Sequence, residues 1–402
     1  MTLASETRGG KVAEREGKRW RDRIAVAAVF FLNGLAMASW VSRIPAVQER
    51  LAASTGVLGL ALLAIAVGAL IAMPVTGWLA ARWGNQRMAM AGLILLCAAL
   101  PLAALAPSAL LLGLALLLLG MGNGTTDVSQ NAEAVLVERG WGRPIMSSFH
   151  ALWSIGGVFG AALGGWVAQR GVSPVIHLSI TAALVLAAGA VAVSRMPRPE
   201  PGEHEMRDTE AHPFALPSRA LLAIGAVAFC SMLTEGAMSD WSGIYLHKNL
   251  HTGAGVAAAG YALFAAAMSA GRIAGDFLTH RLGPVRIVRY GGLLAAAGLG
   301  VALIVGQTWA ALAGFALIGL GVAIIVPLAF SAAGNTQGMA PSAGIAAVST
   351  TGYFGFLAGP PLIGFIAEGI TLRGALGVVA LLCLLVSGLA RSVSHASGEP
   401  NP

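Results

Sequence analysis

Charge is the scarcest property of this sequence. Only 11% of its 402 residues are Asp, Glu, Lys or Arg, against 56% that are hydrophobic. Soluble domains carry about 25% charged residues and use them to cover the core. The deficit excludes an ordinary cytosolic enzyme and a disordered tail protein. Cysteine is also scarce. Cys97, Cys230 and Cys383 sit in apolar runs and form no CxxC pair, which excludes a disulfide scaffold and any cysteine-based metal framework. There is no Walker-type phosphate loop, so direct ATP drive is excluded, and no HExxH motif for a zinc protease. The polar segments are too short to hold a soluble catalytic domain. The chain therefore does not read as an enzyme, and no cofactor is expected.

What the chain has instead is apolar length. A bilayer-spanning helix needs about 20 apolar residues. Twelve such segments can be read, at 24–45, 55–80, 88–106, 108–134, 147–169, 174–195, 219–246, 254–279, 287–307, 309–333, 344–368 and 373–392. The expected fold class is an all-α membrane protein of twelve transmembrane helices. Ala36-Met37-Ala38 resembles a signal-peptidase site, but the apolar stretch before it is long and eleven more follow. It reads as an uncleaved first helix.

The net charge of +7 could suggest nucleic acid, but its distribution does not. The tail before the first span, the even-numbered connections and the end of the last span carry nineteen Lys or Arg. The opposite side carries Arg43, Arg50, Arg170, Lys248 and Arg373. Cytoplasmic loops hold the excess of Lys and Arg. Both termini are therefore expected in the cytoplasm, with the bilayer rather than nucleic acid as partner.

The chain divides in two. Met196 to Pro217 is rich in Pro and Glu, includes His204 and His212, and reads as a solvated linker rather than a metal site. The expected layout is a basic tail at 1–23, a six-helix bundle at 24–195, the linker at 196–217, a second bundle at 218–394 and a tail at 395–402. The two bundles repeat each other. Arg82, Gly84 and Arg87 recur 199 residues on as Arg281, Gly283 and Arg286, and Gly120 and Gly122 recur as Gly319 and Gly321. Gly157, Phe159, Gly160 and Gly164 recur 195 residues on as Gly352, Phe354, Gly355 and Gly359, and Met37 and Trp40 recur 201 on as Met238 and Trp241. Parallel repeats about an axis along the membrane normal are a transporter architecture.

With these residues in view, the chain resembles the major facilitator superfamily. GWLAARWGNQR, Gly77 to Arg87, matches that family's G-x-L-a-D-R-x-G-R-[RK] loop at Gly77, Leu79, Arg82 and Gly84, with Ala81 at the acidic position. GRIAGDFLTHRLGPVR, Gly271 to Arg286, is its second copy and keeps Asp276, Arg281 and Gly283. A narrower likeness is to bacterial inner (plasma) membrane permeases of the fucose permease group. Their span four carries E-x-x-x-N, matched here by Asp127 and Asn131, but their acidic residue in span one has no counterpart. The resemblance implies the two-bundle fold and secondary transport by alternating access, with no particular sugar. The cargo is then a small organic solute, held near mid-membrane between the halves of a monomer, with protons as the coupling ion. A proton-driven efflux antiporter fits the residues nearly as well as a symporter. A non-transporting sensor on the same fold is the alternative from another class.

Polar residues at membrane depth nominate the site, since a charged one there costs roughly 2.5–3.5 kcal/mol on insertion scales. Asp127 and Asn131 share a face of span four, with Gln130 beside them. A carboxylate so placed can take and release a proton. Glu235 lies mid-membrane on span seven. Asp240 is five residues on, about 140° around the helix, nearer the outer surface. Arg43 is expected at similar depth on span one, where it would pair with Asp240 as an outer gate. Asn33 is a cavity contact, His150 a proton relay by its ordinary titration range, and Trp153, three residues on, a stacking surface. Arg272 and Asp276, four apart, form an inner ion pair or latch, with Arg82 and Arg281 in the repeated loops also assigned to gating. Glycines on spans five and eleven should let helices pack closely. Pro360 and Pro361 should bend or interrupt span eleven.

Overall fold

The computed structural model describes residues 3–53, 55–197 and 219–397. Most of the expected linker, with His204 and His212, lies outside the described residues. The chain is all-α, with no strand among the described residues. The helices are α1 (Leu3–Arg50), α2 (Thr55–Trp83), α3 (Asn85–Leu105), α4 (Ala109–Trp141), α5 (Met146–Gln169) and α6 (Pro174–Ser194). There follow α7 (Arg219–Ile244), α8 (Ala254–Leu282), α9 (Pro284–Val305), α10a (Thr308–Val322) with α10b (Ile325–Gly334), α11 (Pro341–Gly369) and α12 (Leu372–Gly388). Counting α10a and α10b as one span, these are the twelve helices expected. Nine spans among the described residues are long and apolar enough to cross a bilayer, and α12 is a shorter apolar helix.

The sequence punctuates these helices as capping chemistry requires. Ser108, Ser173 and Thr371 accept from the backbone N–H groups of Leu111, Ile176 and Gly374. Pro174, Pro284 and Pro341 open their helices, where the missing N–H costs nothing. One residue, Gly84, joins α2 to α3, and its repeat Gly283 joins α8 to α9. Their φ values are 86° and 79°, in backbone regions that favour glycine.

Contacts cluster into two compact units. Unit one is Met1–Arg143 with Leu152–Thr209, and unit two is Pro144–Ala151 with Glu210–Pro402. The start of α5 thus belongs with the second unit. In unit one α4 packs on α2 and α3, and α6 on α1 and α3; in unit two α10a packs on α8 and α9, and α12 on α9.

The repeated glycines hold equivalent seams. A Cβ on Gly120 would run into the Ile65 carbonyl of α2, and one on Gly319 into the Phe264 carbonyl of α8. Gly122 abuts α3 at Leu96, and Gly321 abuts α9 at Gly291. Gly160 presses on the α1 backbone at Leu35, and its repeat Gly355 presses on the α7 backbone at Phe229. Each glycine meets backbone of the equivalent helix in its own half, so the duplication holds at the level of packing.

Three details differ from expectation. α1 continues through the basic tail, whose Arg, Lys, Glu and Ala are good helix formers. α11 runs unbroken past Pro360 and Pro361 to Gly369; its seam against α7 supplies the packing that proline's lost donors do not. Span ten, expected as one helix, breaks at Ala323–Ile324. Pro327 is four residues beyond Ala323 and has no N–H to give its carbonyl. Arg272 of α8 takes that carbonyl instead, Nε to O at 3.4 Å.

Candidate functional site

Unit one gathers two amides and an indole N–H from three apolar helices. Asn33 of α1 is 1% exposed and donates from Nδ2 to Asn123 Oδ1 of α4 at 3.1 Å. Its own Oδ1 accepts from Trp153 Nε1 of α5 at 2.7 Å. Close approach makes this possible, because Gly34 puts α1 directly against the Trp153 carbonyl. One turn along α4, Asn131 Nδ2 donates to Asp127 Oδ1 at 3.1 Å and to the Asp127 carbonyl at 2.9 Å. Asn123, Asp127 and Asn131 are spaced by four and therefore form one row. Asp127 is half-buried, and Gln130 beside it is buried with its Oε1 lacking a protein partner.

Unit two carries an ion pair. Glu235 of α7 lies 3.8 Å from Arg272 of α8, with side chains 29% and 9% exposed. Tyr261 of α8 lies within electrostatic reach of Glu235, Asp240 and Arg272. Asp240 is exposed. The His150 ring stands 5.8 Å from that of Phe330, and Arg272 acts on it electrostatically. Asp276 accepts from the Ser148 backbone N–H at 3.0 Å and so caps the first turn of α5.

The repeated loop arginines stack instead of ion-pairing. Arg82 lies 4.4 Å over the Trp78 ring, and Arg281 lies 4.8 Å over Phe277, the equivalent position. Arg43 donates to the Val172 carbonyl in the α5–α6 connection.

Asn33 and Trp153, nominated separately, are thus joined, as are Asp127 with Asn131 and Glu235 with Arg272. Asn123 and Tyr261 were not anticipated. Asn123 matches an N-glycosylation acceptor, but its spacing of four from Asp127 was the better signal. Tyr261 carries no sequence mark beyond being a phenol in an alanine-rich helix.

The Arg272–Glu235 pair gives a first expected result. Removing one partner strands the other charge, which costs more than removing both. Arg272→Gln should lower the unfolding midpoint of detergent-purified protein, and Arg272→Gln with Glu235→Gln should lower it by less than the two single losses summed. A coupling of about 0.5–3 kcal/mol is typical for residues in contact. Strict additivity would show the pair to be incidental.

Two glycine-lined six-helix repeats, one holding buried amides and the other an arginine–glutamate pair, define a multi-pass membrane transporter. Comparison with known proteins agrees. The model of the Major Facilitator Superfamily matches residues 24–343, and the chain belongs to that family. It is 37% identical to an uncharacterized MFS-type transporter of Yersinia pestis, over 93% of this chain and 96% of that one. It is 34% identical to the membrane protein MosC of Rhizobium meliloti, over 94% and 92%. The structure of the transporter FucP in its outward conformation superposes with a TM-score of 0.79 at 18% identity, covering 92% of this chain and 98% of that one. The human organic anion transporter MFSD10 gives 0.76 at 16%, covering 92% and 99%. These two solved structures share the fold.

Proposed function

We propose that the chain is a secondary active transporter that moves a small organic solute by alternating access, coupled to protons, across a bacterial inner membrane with both termini in the cytoplasm. The observation that carries the reading is the amide group of unit one. Asn33, Asn123 and Trp153 present hydrogen-bonding side chains from three helices, one turn from the Asp127 carboxylate. Such a group suits hydroxyl-bearing cargo, since amides both donate and accept. A fucose:proton symporter of the same fold supports sugars or related metabolites as the first class to test. The two units correspond in this reading to the halves that move, and Arg43, Asp240, Arg272 and Asp276 to gating residues.

The test begins with purified full-length protein and a thermal-shift screen of sugars, polyols, amino acids and organic acids. A specific ligand raises the midpoint by mass action. Vesicles carrying the protein and an internal pH dye then receive each hit. The reading expects inward proton flux on addition of a sugar or polyol. Binding without any flux of solute or proton would instead identify a sensor on the transporter fold.

A further inference from the structure

Unit one contains a second polar group, centred on Arg43 and apart from the amides that the solute reading uses. Arg43 is 3% exposed and His177, in the first turns of α6, is 5% exposed. Arg43 Nη2 reaches the Val172 carbonyl, but Nε and Nη1 are buried without a hydrogen-bond partner, and so are both ring nitrogens of His177. Among the described residues Arg43 has no ion-pair partner. Ser39 Oγ and Trp40 Nε1, four and three residues before Arg43 on the same face of α1, are buried and equally unpartnered. A bare glycine lets α1 and α6 approach α5 closely here. A Cβ built on Gly164 of α5 would run into Ser42 Oγ and come within 3.2 Å of His177 Cε1.

The chemistry of this group is lopsided. A guanidinium edge, an indole N–H, a hydroxyl and an imidazole supply donors, with no carboxylate to answer the charge. A buried charge without a partner costs several kcal/mol. Water could satisfy individual N–H groups but would leave that charge unbalanced. A guanidinium binds planar or spherical anions through short charge-assisted hydrogen bonds. The group lies ten residues along α1 from Asn33, about 15 Å at the helical rise, so it is separate from the amide group.

We propose that Arg43 and His177, with Trp40 and Ser39, form a binding site for a small monoanion, a halide or a carboxylate, within the first unit. The site does not depend on the transport reading.

The test uses full-length detergent-purified protein at constant ionic strength and pH. Its unfolding midpoint is followed as sodium isethionate, a large sulfonate, is exchanged for chloride, formate or acetate. The expected result is a saturable rise of several degrees with at least one small anion. A rise with chloride alone assigns a halide, and a rise with formate or acetate alone assigns a carboxylate. Arg43→Gln should abolish the rise, and His177→Gln should weaken the apparent affinity at least threefold. Should Arg43→Gln fail to yield folded protein, Arg43→Lys serves in its place and should shift the titration at least threefold. A wild-type midpoint indifferent to the anion overturns the proposal, as does a saturable rise with the same midpoint concentration in all variants. Neither result touches the solute-driven proton flux, so the two readings fail separately.

Discussion

Valine in place of Gly120 is expected to leave little monodisperse protein, whereas valine in place of Gly113, seven residues away on the same helix, is expected to be harmless. The Cβ of residue 120 would stand 2.7 Å from the Ile65 carbonyl carbon and 2.8 Å from its Cα, with the carbonyl oxygen closer still. These are backbone atoms of a packed helix and cannot rotate away. Gly113 has nothing within 4 Å of the same atom. Overpacking typically costs 1–3 kcal/mol, and contact with backbone puts Gly120 at the upper end or beyond. The repeat makes the argument sharper. Gly319→Val should match Gly120→Val, because the Phe264 carbonyl occupies the place of Ile65, and Gly300→Val, at a glycine of α9 that also has nothing within 4 Å, should be as harmless as Gly113→Val. Fluorescence-detected size exclusion after a heating series would measure all four. Equal midpoints at positions 120 and 113 would remove the seams from the account of this fold.

Those seams also show how much the sequence discloses. The glycine pairs at a constant offset are visible in the chain because a close helix crossing admits no other residue, so the constraint is written at single positions. Caps and one-residue links are legible for the same reason: Ser108, Ser173, Gly84 and Gly283 act on their own neighbourhood. The twelve-helix architecture follows from apolar length and this duplication, and the family resemblance from the loop at Gly77–Arg87 and its second copy at Gly271–Arg286. The break in span ten is different. Pro327 gives the local half of the signal by freeing the Ala323 carbonyl. The other half is Arg272, 51 residues upstream, which no local pattern connects to it. Asn123 is hidden in a comparable way. Its chemistry depends on Asn33, 90 residues away, and only its register with Asp127 hints at a role. The surroundings of Arg43 are less readable still, since what marks them is a lack of partners after folding.

The two membrane carboxylates differ in their neighbours, and that difference separates two transport phenotypes. Asp127 accepts from the neutral amide of Asn131, and an asparagine at 127 keeps an Oδ1 to accept the same bond. Asp127→Asn therefore removes a titrating group with little change of shape. Under the proposed coupling it should cut proton-driven accumulation about tenfold or more, while solute exchange across vesicles without a gradient stays within about threefold; loss confined to one of the two readouts separates coupling from binding. Glu235 instead faces Arg272 at 3.8 Å, and Arg272 also holds the broken span-ten backbone. Glu235→Gln removes that ion pair and should depress accumulation and exchange together. A proton that binds Asp127 leaves the Glu235–Arg272 pair intact, whereas a proton that binds Glu235 must break it. Coupling through Asp127 therefore lets the first unit answer the gradient while the second keeps its internal charge balance. Flux of radiolabelled solute, with and without an imposed pH gradient, reads both variants. If Glu235→Gln alone uncouples accumulation from exchange and Asp127→Asn is silent, the two acids trade roles. Proton-driven accumulation that survives both substitutions would end the carboxylate coupling scheme altogether.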